Sequence, residues 1–294
     1  MADRAEHVRI VDDAIPGYAA KLPATAGKAE PAEPPAPGDR EARAAFWLAL
    51  DAVNFGSGWF PTLRKRAGLS GYHTIAAALR DRFDAAGPWT AAELAELRAS
   101  EMAGILGQDP AHELMSLYAR SLNDLGRRVS GEGGGSFAAV ADAAGGSAVA
   151  LATGLGKWDC FADCSWYGSL RIPFLKRAQI AAADLHRAGV ARFSDLSDLT
   201  MFADNLVPHV LRLDGVLRFA PDLVARIERE ELIEHDSAQE IEIRGCAVHA
   251  VELLTAAAGG DVITAAEIDQ VLWERGQQVR YKASPRHRSR CTAY

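Results

Sequence analysis

Helix-start signals recur along this chain and constrain its fold more than any other feature. Thr90-x-x-Glu93, Ser237-x-x-Glu240 and Thr264-x-x-Glu267 each place a hydroxyl three residues before a glutamate. In this pattern the two side chains satisfy backbone N–H groups that the first helical turn leaves free. Alanine-rich stretches with few β-branched residues follow several of these signals, which favours helices over strands. The sequence therefore predicts a mainly α-helical fold.

The periodicity of apolar residues and the capping signals together predict individual elements. Helices are predicted from Asp39 to about Leu50, over Thr74–Ala85, from Thr90 to about Met102, from Asp109-Pro110 to about Arg128, around Ala138–Ala143, over Lys176–Ala188 and Pro221–Glu231, from Ser237 to Gly259-Gly260, and from Thr264 through Trp273. Two short helices joined by a turn near Asp204-Asn205 are predicted within Phe193–Phe219. Residues 1–22 are predicted to form a short helix or strand, and a small β portion is predicted near Val149–Tyr167. Residues 23–38 are proline-rich and are predicted to form a loop.

Composition excludes several classes of protein. The chain has 294 residues, of which 49% are hydrophobic and 24% are charged, so it is not a disordered or fibrous protein. Its four cysteines are too few for a disulfide framework. Cys160-x3-Cys164 lacks a second pair, so no metal site is predicted. The charged start MADRAEHVRI and the glycine-broken apolar stretch Ala138–Leu155 predict a cytoplasmic protein that does not associate with a membrane.

The charge is distributed unevenly. Six Lys/Arg residues and no acid lie between Arg275 and Arg290. Removing these six charges from the net charge of −7 leaves −13 for the rest of the chain. An acidic body argues against binding of a long nucleic acid, which needs an extended basic surface.

The familiar nucleotide and hydrolase motifs are missing. The glycine-rich run GEGGGSF does not follow a convincing strand, and no Walker, HExxH or GxSxG motif is present. Candidate functional residues must therefore be sought in other combinations of side chains.

Four segments remain candidates for a site, and each also has a structural interpretation. The loop Asn54–Pro61 carries Phe55 and Trp59, which could either cap the core or stack on a flat base. Acidic and basic residues within Trp158–Gln179 could form structural pairs or face a pocket. Asp204 could cap a helix or act as a partly buried functional carboxylate. The segment Tyr281–Tyr294 could be a solvated tail, or it could hold a phosphate through Arg288 and Arg290, which share one side of an extended strand.

Several segments, taken in order, resemble one family. DAVNFGSGWFP, FLKRAQIAAADL, DLTMFADNLVP, EIEIRG, VLWERGQ and PRHRSRCTAY resemble the queuosine salvage family, the queuosine 5′-phosphate N-glycosylases. The resemblance runs from about Val8 to Tyr294. It departs at Ala162-Asp163, where an Arg-Asp pair is usual, and at Leu175 and near Asn205, where a tyrosine is common.

The resemblance implies a single helical domain over residues 1–294, similar in fold to the helix-hairpin-helix DNA glycosylases, with a small irregular or β portion. It implies an enzyme that hydrolyses the N-glycosidic bond of queuosine 5′-phosphate and releases free queuine for reuse in tRNA modification. The expected ligands are this nucleotide and the free base, with no metal, no organic cofactor and no long nucleic acid.

The resemblance also implies roles for individual residues. Asp204 would stabilise the cationic sugar or activate water, and Lys176 would lie near the ribose or orient Asp204. The expected substrate-binding residues are Asn54, Phe55, Trp59, Asp163, Tyr167, Phe202, Tyr281, His287, Arg288 and Arg290. Within this set Phe55 and Trp59 would stack on the base, with Phe202 or Tyr167 as alternatives. Asp163 would meet the amine-bearing arm of the base, and the histidine and two arginines would clamp the phosphate.

Two alternatives remain open at this point. One is a DNA or RNA base glycosylase of the helix-hairpin-helix type, which the net charge opposes. The other is a non-catalytic protein that binds a modified base, because stacking and clamping residues would serve both purposes.

Overall fold

The prediction of a mainly helical fold is confirmed by the computed structural model, which describes residues 1–23, 38–259 and 263–294. The α-helices of these residues are α1 (Ile15–Ala19), α2 (Arg40–Ala52), α3 (Gly71–Ala86), α4 (Ala91–Ala95), α5 (Ala99–Leu106), α6 (Glu113–Glu132), α7 (Phe137–Asp142), α8 (Ala148–Leu155), α9 (Lys176–Arg187), α10 (Val207–Leu213), α11 (Pro221–Glu228), α12 (Ala238–Ala257), α13 (Ala265–Gly276) and α14 (Val279–Lys282). None of the described helices combines the length and apolarity needed to cross a membrane. Most of the predicted proline-rich loop lies outside the described residues.

The capping signals act as predicted. Thr90 and Thr264 form complete capping boxes with Glu93 and Glu267. Ser237 accepts a hydrogen bond from the Glu240 N–H at the start of α12. Asp39 caps α2 by accepting from the Ala42 N–H. Local side-chain chemistry therefore sets the N-termini of these helices.

Some predicted boundaries were wrong. The helix predicted from Thr90 to Met102 is two helices, α4 and α5, because Glu101 caps a new start at Arg98. The helix predicted from Asp109 begins instead at Glu113, where His112 accepts from the Leu114 N–H.

The small predicted β portion is present, but its hairpin lies further along the chain than predicted. Residues 148–155 form helix α8, capped by Ser147, where strands were predicted. Two antiparallel pairs are present in the described residues: β1 (Val8–Ile10) pairs with β4 (Leu217–Phe219), and β2 (Cys164–Tyr167) pairs with β3 (Leu170–Pro173). The segment predicted as two helices within Phe193–Phe219 thus contains α10 and strand β4. Strands β1 and β4 are three residues long and lie about 200 residues apart in the chain, so the local sequence gives no signal of their pairing.

Two apolar clusters form the core. The first is built from α2, α3, α5, α6, α7, α8 and α9, and the second from β1, α10, α11, α12 and α13. Helix α9 belongs to the first cluster through Ala178, Ala181 and Leu185. Its N-terminus, however, is connected to α12 of the second cluster by polar contacts.

Arg244 on α12 makes the principal polar connection between the two clusters. Its side chain is fully buried, and its Nη2 lies 2.9 and 2.7 Å from the two carboxylate oxygens of Asp163. Asp163 also accepts a hydrogen bond of 2.9 Å from the Lys176 N–H at the first turn of α9. The Arg244 Nε donates to the Ala203 carbonyl at 3.0 Å. Its guanidinium also lies 3.9 Å from the ring centroid of Phe174, so it is desolvated and almost fully hydrogen-bonded.

We predict that Arg244→Met lowers the free energy of unfolding by about 3–5 kcal/mol, because the buried Asp163 carboxylate loses its counter-ion. Denaturant unfolding monitored by circular dichroism measures the change. Arg226→Met is the matched control, since Arg226 pairs with Glu231 at the surface and such pairs contribute at most about 1 kcal/mol. The double change Asp163→Asn with Arg244→Met should recover part of the loss. A single variant as stable as the wild type would show that this pair does not hold the clusters together.

Candidate functional site

A cavity of about 480 Å³ lies where the two core clusters meet. This volume is in the range of pockets that bind small organic ligands. Its walls combine aromatic rings with several charged side chains. The charged residues that line it are Lys65, Lys176, Asp184, Arg187, Asp204, Asp269, Lys282 and Arg286.

Asp204 lines the cavity and is half-buried. Its Oδ1 accepts hydrogen bonds from the Leu206 and Val207 N–H groups, at 2.8 and 3.0 Å. Val207 is the first residue of α10, whose N-cap position is Leu206, so these bonds anchor the carboxylate just before that helix. One oxygen of Asp204 is thus held by the backbone while the residue lines the cavity.

Lys176 also lines the cavity, at the first turn of α9. Its Nζ donates to the carbonyl and the side-chain oxygen of Asn54, at 2.8 and 3.0 Å. Burial lowers the pKa of Lys176 to about 8, although the nearby carboxylates of Asp204 and Asp51 oppose this change. Near neutral pH this amine is thus a cation that releases its proton readily.

Asp269 on α13 is a carboxyl group that the sequence interpretation did not include. It lines the cavity, and its Oδ1 accepts a hydrogen bond of 3.1 Å from the Phe202 N–H. Burial, and then the charge of Asp204, raise the pKa of Asp269 well above its ordinary value. Asp269 is therefore a carboxyl group of the cavity whose surroundings favour its protonated form.

A second acidic pair lies deeper in the protein. Asp184 lines the cavity, whereas Asp51 is fully buried, and neither oxygen of Asp51 has a hydrogen-bond partner in the described residues. Burial raises the pKa of both groups, and that of Asp51 rises further through the charge of Asp184. Arg187 forms an ion pair with Asp184. The indole N–H of Trp47, another lining residue, is also buried without a partner in the described residues. This part of the cavity wall therefore offers unused polar atoms.

The C-terminal segment contributes one arginine to the cavity. Arg286 lines it and interacts electrostatically with Asp204, while burial lowers the arginine's pKa. Lys282 and Lys65 are further cations of the lining. Tyr294 also lines the cavity, and its carbonyl accepts a hydrogen bond of 3.0 Å from the Gly56 N–H. The segment is therefore folded into the protein and is not a solvated tail.

Of the sequence-predicted site residues, five line the cavity: Asn54, Phe55, Lys176, Phe202 and Asp204. Phe55 is almost fully buried, and its ring packs against Tyr118 at a centroid distance of 4.9 Å. The structure thus brings the two predicted catalytic residues together with part of the predicted loop.

The other predicted residues lie outside the lining. Both oxygens of Asp163 are used by Arg244 and the α9 backbone. The Tyr167 hydroxyl donates to Glu242, and the Tyr281 hydroxyl donates to Asp214. The Trp59 indole donates to Glu113. Each of these side chains therefore has a partner within the protein. A structural role was one of the interpretations that the sequence left open.

The predicted phosphate clamp is distributed differently from the expectation. His287 is buried, and its carbonyl accepts from the Asn205 side chain. Arg288 pairs with Glu230 at 3.5 Å, and the Arg290 guanidinium lies 5.8 Å from the Trp59 ring centroid. None of the three lines the cavity, whereas Arg286, in the same segment, does. The alternation of cations along this extended segment was visible in the sequence. The sequence did not show which of these cations lines the cavity.

The residues that sequence reasoning missed share a weak local signal. Asp51, Asp184 and Asp269 each lie within a predicted helix, where an acidic residue ordinarily faces solvent. Tyr72 and Trp273, whose rings pack edge to face with centroids 6.2 Å apart beside the cavity, also lie on helices. An acidic residue on the apolar side of a helix would have been the available clue.

Fold and site together define a helical protein with a nucleotide-sized cavity, in which paired carboxyl groups lie beside a lysine and an arginine. Such an arrangement suits acid–base chemistry at a glycosidic bond. The chain belongs to the queuosine salvage protein family, whose sequence profile matches residues 35–294.

Relatives of similar sequence match most of the chain. It is 37% identical over 266 residues to a queuosine 5′-phosphate N-glycosylase/hydrolase of Sphaerobacter thermophilus, covering 87% of this chain and 82% of the relative. It is 30% identical over 283 residues to the protein of that name in Mus musculus, covering 87% and 83%. The protein of that name in Bos taurus is 31% identical over 246 residues, covering 76% and 72%.

We predict that Lys176 loses its charge at a much lower pH than a solvated lysine. In a sample labelled with ¹³C at the lysine ε-carbons, one resonance should titrate with a midpoint near pH 8, the pKa that burial imposes. Its absence from the spectrum of Lys176→Arg would assign it. If the resonance so assigned titrated near 10.5, the ordinary value, the amine would be solvated and not buried beside the cavity.

Proposed function

We propose that this chain hydrolyses the N-glycosidic bond of queuosine 5′-phosphate and releases queuine. The membership of the family and the names of the relatives support the reaction and its substrate. The observation that carries the assignment to this cavity is that Asp204, Lys176, Asp269 and Arg286 meet in one space of about 480 Å³.

Asp204 is proposed to act on the sugar. Cleavage of an N-glycosidic bond develops positive charge at the anomeric carbon, and a carboxylate beneath the ring stabilises that charge or removes a proton from the attacking water. The anchoring of one oxygen by two N–H groups fixes the orientation of the carboxylate before the substrate binds. The positive charge of Lys176 is proposed to orient Asp204 and the ribose hydroxyls relative to each other.

Asp269 is proposed to assist departure of the base. Queuine is a 7-deazaguanine and lacks the N7 atom through which purines are usually protonated. Because burial raises the pKa of Asp269 well above its ordinary value, we propose that this carboxyl donates a proton, or a hydrogen bond, to another basic atom of the leaving base. The proton is recovered from the water that attacks the sugar.

Asp184 is proposed to replace Asp163 as the partner of the amine-bearing arm of queuine. Asp163 is committed to Arg244 and lies outside the lining. Asp184 is paired with Arg187 but lines the cavity, as does Trp47, whose indole N–H has no partner in the described residues. A carboxylate beside free N–H donors suits an ammonium group that carries a diol.

Arg286, with Lys282 and Lys65, is proposed to bind the 5′-phosphate. One phosphate needs a local cluster of cations and not an extended basic surface, so the net charge of −7 is compatible with binding a mononucleotide. His209 and Arg212, the basic residues near the turn at Asp204, hydrogen-bond to the carbonyls of Tyr281 and Pro285. They are engaged with the C-terminal segment, which disfavours a DNA-binding hairpin.

Asp204→Asn tests the proposed reaction. We expect kcat for queuosine 5′-phosphate to fall by roughly 10²–10⁴-fold, with binding of queuine retained, because the amide keeps the oxygen that accepts from the α10 N–H groups. Chromatographic detection of free queuine gives turnover, and calorimetry gives affinity. Asp198→Asn, at an exposed position, is the matched control. A wild-type protein that binds queuine but never releases it from the nucleotide would favour the non-catalytic binding protein instead.

Arg286→Gln tests the phosphate site. A charge-assisted hydrogen bond contributes about 1.5–3 kcal/mol, so the preference in kcat/KM for queuosine 5′-phosphate over queuosine should fall by roughly 10–100-fold. Arg288→Gln and Arg290→Gln are measured beside it, because the sequence alone predicted the clamp at those positions. If either of those variants lost the preference and Arg286→Gln kept it, the phosphate would be bound by the residues that the sequence predicted.

A further inference from the structure

The buried side chain of Asn205 connects the turn before α10 to the C-terminal segment. Asn205 directly follows Asp204, is 4% exposed and lines the cavity. Its Nδ2 donates a hydrogen bond of 3.0 Å to the carbonyl of His287, 82 residues away in the chain. His287 directly follows Arg286, the arginine that lines the cavity. The bond therefore joins the neighbour of the proposed catalytic carboxylate to the neighbour of the proposed phosphate ligand.

Burial makes this hydrogen bond a tight constraint on the backbone. Asn205 and His287 are both almost fully buried. A buried carbonyl that loses its donor gains no water in exchange, so breaking the bond costs free energy. N–H···O bonds are favourable only over a narrow range of about 2.7–3.2 Å between the heavy atoms. The two segments must therefore move together or not at all.

Helix α10 makes a second contact with the same stretch of the C-terminal segment. Arg212, on α10, donates to the carbonyl of Pro285 at 3.3 Å. Asp204 accepts from the first N–H group of that helix, at 3.0 Å. The carbonyls on both sides of Arg286, those of Pro285 and His287, are thus held by the unit that also orients Asp204.

The C-terminal segment has further anchors that do not depend on Asn205. The Ile233 N–H donates to the carbonyl of Arg288 at 2.9 Å, and the Gly56 N–H donates to the carbonyl of Tyr294 at 3.0 Å. Because these bonds hold the segment elsewhere, a change at Asn205 should loosen the connection between the two parts of the cavity wall without releasing the whole segment.

We propose that Asn205 is a positioning residue that couples binding of the substrate's 5′-phosphate to the chemical step at Asp204. The inference rests on the proposed function and states how two parts of that site act together. A phosphate bound by Arg286 fixes the backbone of the C-terminal segment, and the Asn205 bond transmits that constraint to the turn that carries Asp204.

This coupling gives the phosphate a role beyond affinity. Binding energy from a part of the substrate that does not react can be used to orient the reacting groups, in which case it raises kcat and does not only lower KM. The 5′-phosphate would then activate hydrolysis of a bond on the other side of the ribose. Arg286 also interacts with Asp204 through its charge, and that interaction does not require Asn205, so a neutral substitution at Asn205 separates the two effects.

The values of kcat for queuosine 5′-phosphate and for queuosine, each at saturation, test the proposal in the wild type and in Asn205→Leu. Leucine is close to asparagine in shape but has no donor for the His287 carbonyl. We expect the wild type to turn over the nucleotide faster than the nucleoside. The ratio of the two kcat values should fall at least about tenfold in Asn205→Leu, the equivalent of about 1.4 kcal/mol.

Inorganic phosphite provides a second readout, because it presents the charge of a phosphate group that is not attached to the substrate. Phosphite should accelerate hydrolysis of queuosine by the wild type. In Asn205→Leu it should still bind, as measured by calorimetry, because Arg286 is unchanged, but the acceleration should be largely lost. Binding without activation is a result that a purely structural role of Asn205 would not produce.

Two further variants serve as control and safeguard. Asn123→Leu is the matched control, since the Asn123 amide donates to the carbonyls of Leu94 and Leu97 and does not line the cavity; it should leave the ratio of kcat values unchanged. Arg212→Gln removes the second contact at a half-buried position and should also lower the ratio. It decides the question if circular dichroism shows that Asn205→Leu does not fold.

The outcomes distinguish this inference from the proposed function. Equal kcat values for nucleotide and nucleoside in the wild type, or a ratio that stays at the wild-type value in the folded variants, would overturn the coupling alone. A wild type that releases queuine from neither substrate would overturn the proposed function and the coupling together.

Discussion

The buried guanidinium of Arg244 is the contact on which the rest of the structure depends. It neutralises Asp163, whose carboxylate also accepts from the backbone at the start of α9, where Lys176 begins the helix. The same side chain donates to the carbonyl of Ala203, the residue before Asp204. Its charge also lies 4.7 Å from the Tyr294 ring centroid. One cation therefore positions the segments that carry both proposed catalytic residues and the C-terminus, and its loss would leave a buried carboxylate unpaired.

Burial, more than proximity, differentiates the acidic groups of the cavity. Asp269 and Asp51 lie in the protein interior, so desolvation favours their protonated forms. Asp204 is half-buried and is oriented by the N–H groups of Leu206 and Val207. The buried carboxyl groups are thereby suited to donate a proton, which acid–base hydrolysis of a glycosidic bond requires of one partner.

Helix positions were predictable where a capping side chain marks the start, as at Thr90, Ser237 and Thr264. One was missed at α8, where strands were predicted near Val149–Tyr167, although Ser147 caps a helix there. The β1–β4 pairing joins residues near 8 and near 219, and no short-range pattern encodes such a contact. Asp204 and Lys176 were accessible from the sequence because family-like motifs surround them.

The sequence by itself determined the helical class, the capped helix starts, the family resemblance and the local setting of Asp204 at a helix N-terminus. These properties depend on residues within a few positions of each other, so short stretches of sequence are enough to predict them. Only the tertiary structure decided that Asp163 belongs to Arg244, that Asp269 and Asp184 face the cavity, and that Arg286 is the arginine of the C-terminal segment that lines it. Each of these outcomes depends on which groups lose water together when distant segments pack, and desolvation of that kind has no counterpart in the linear chain.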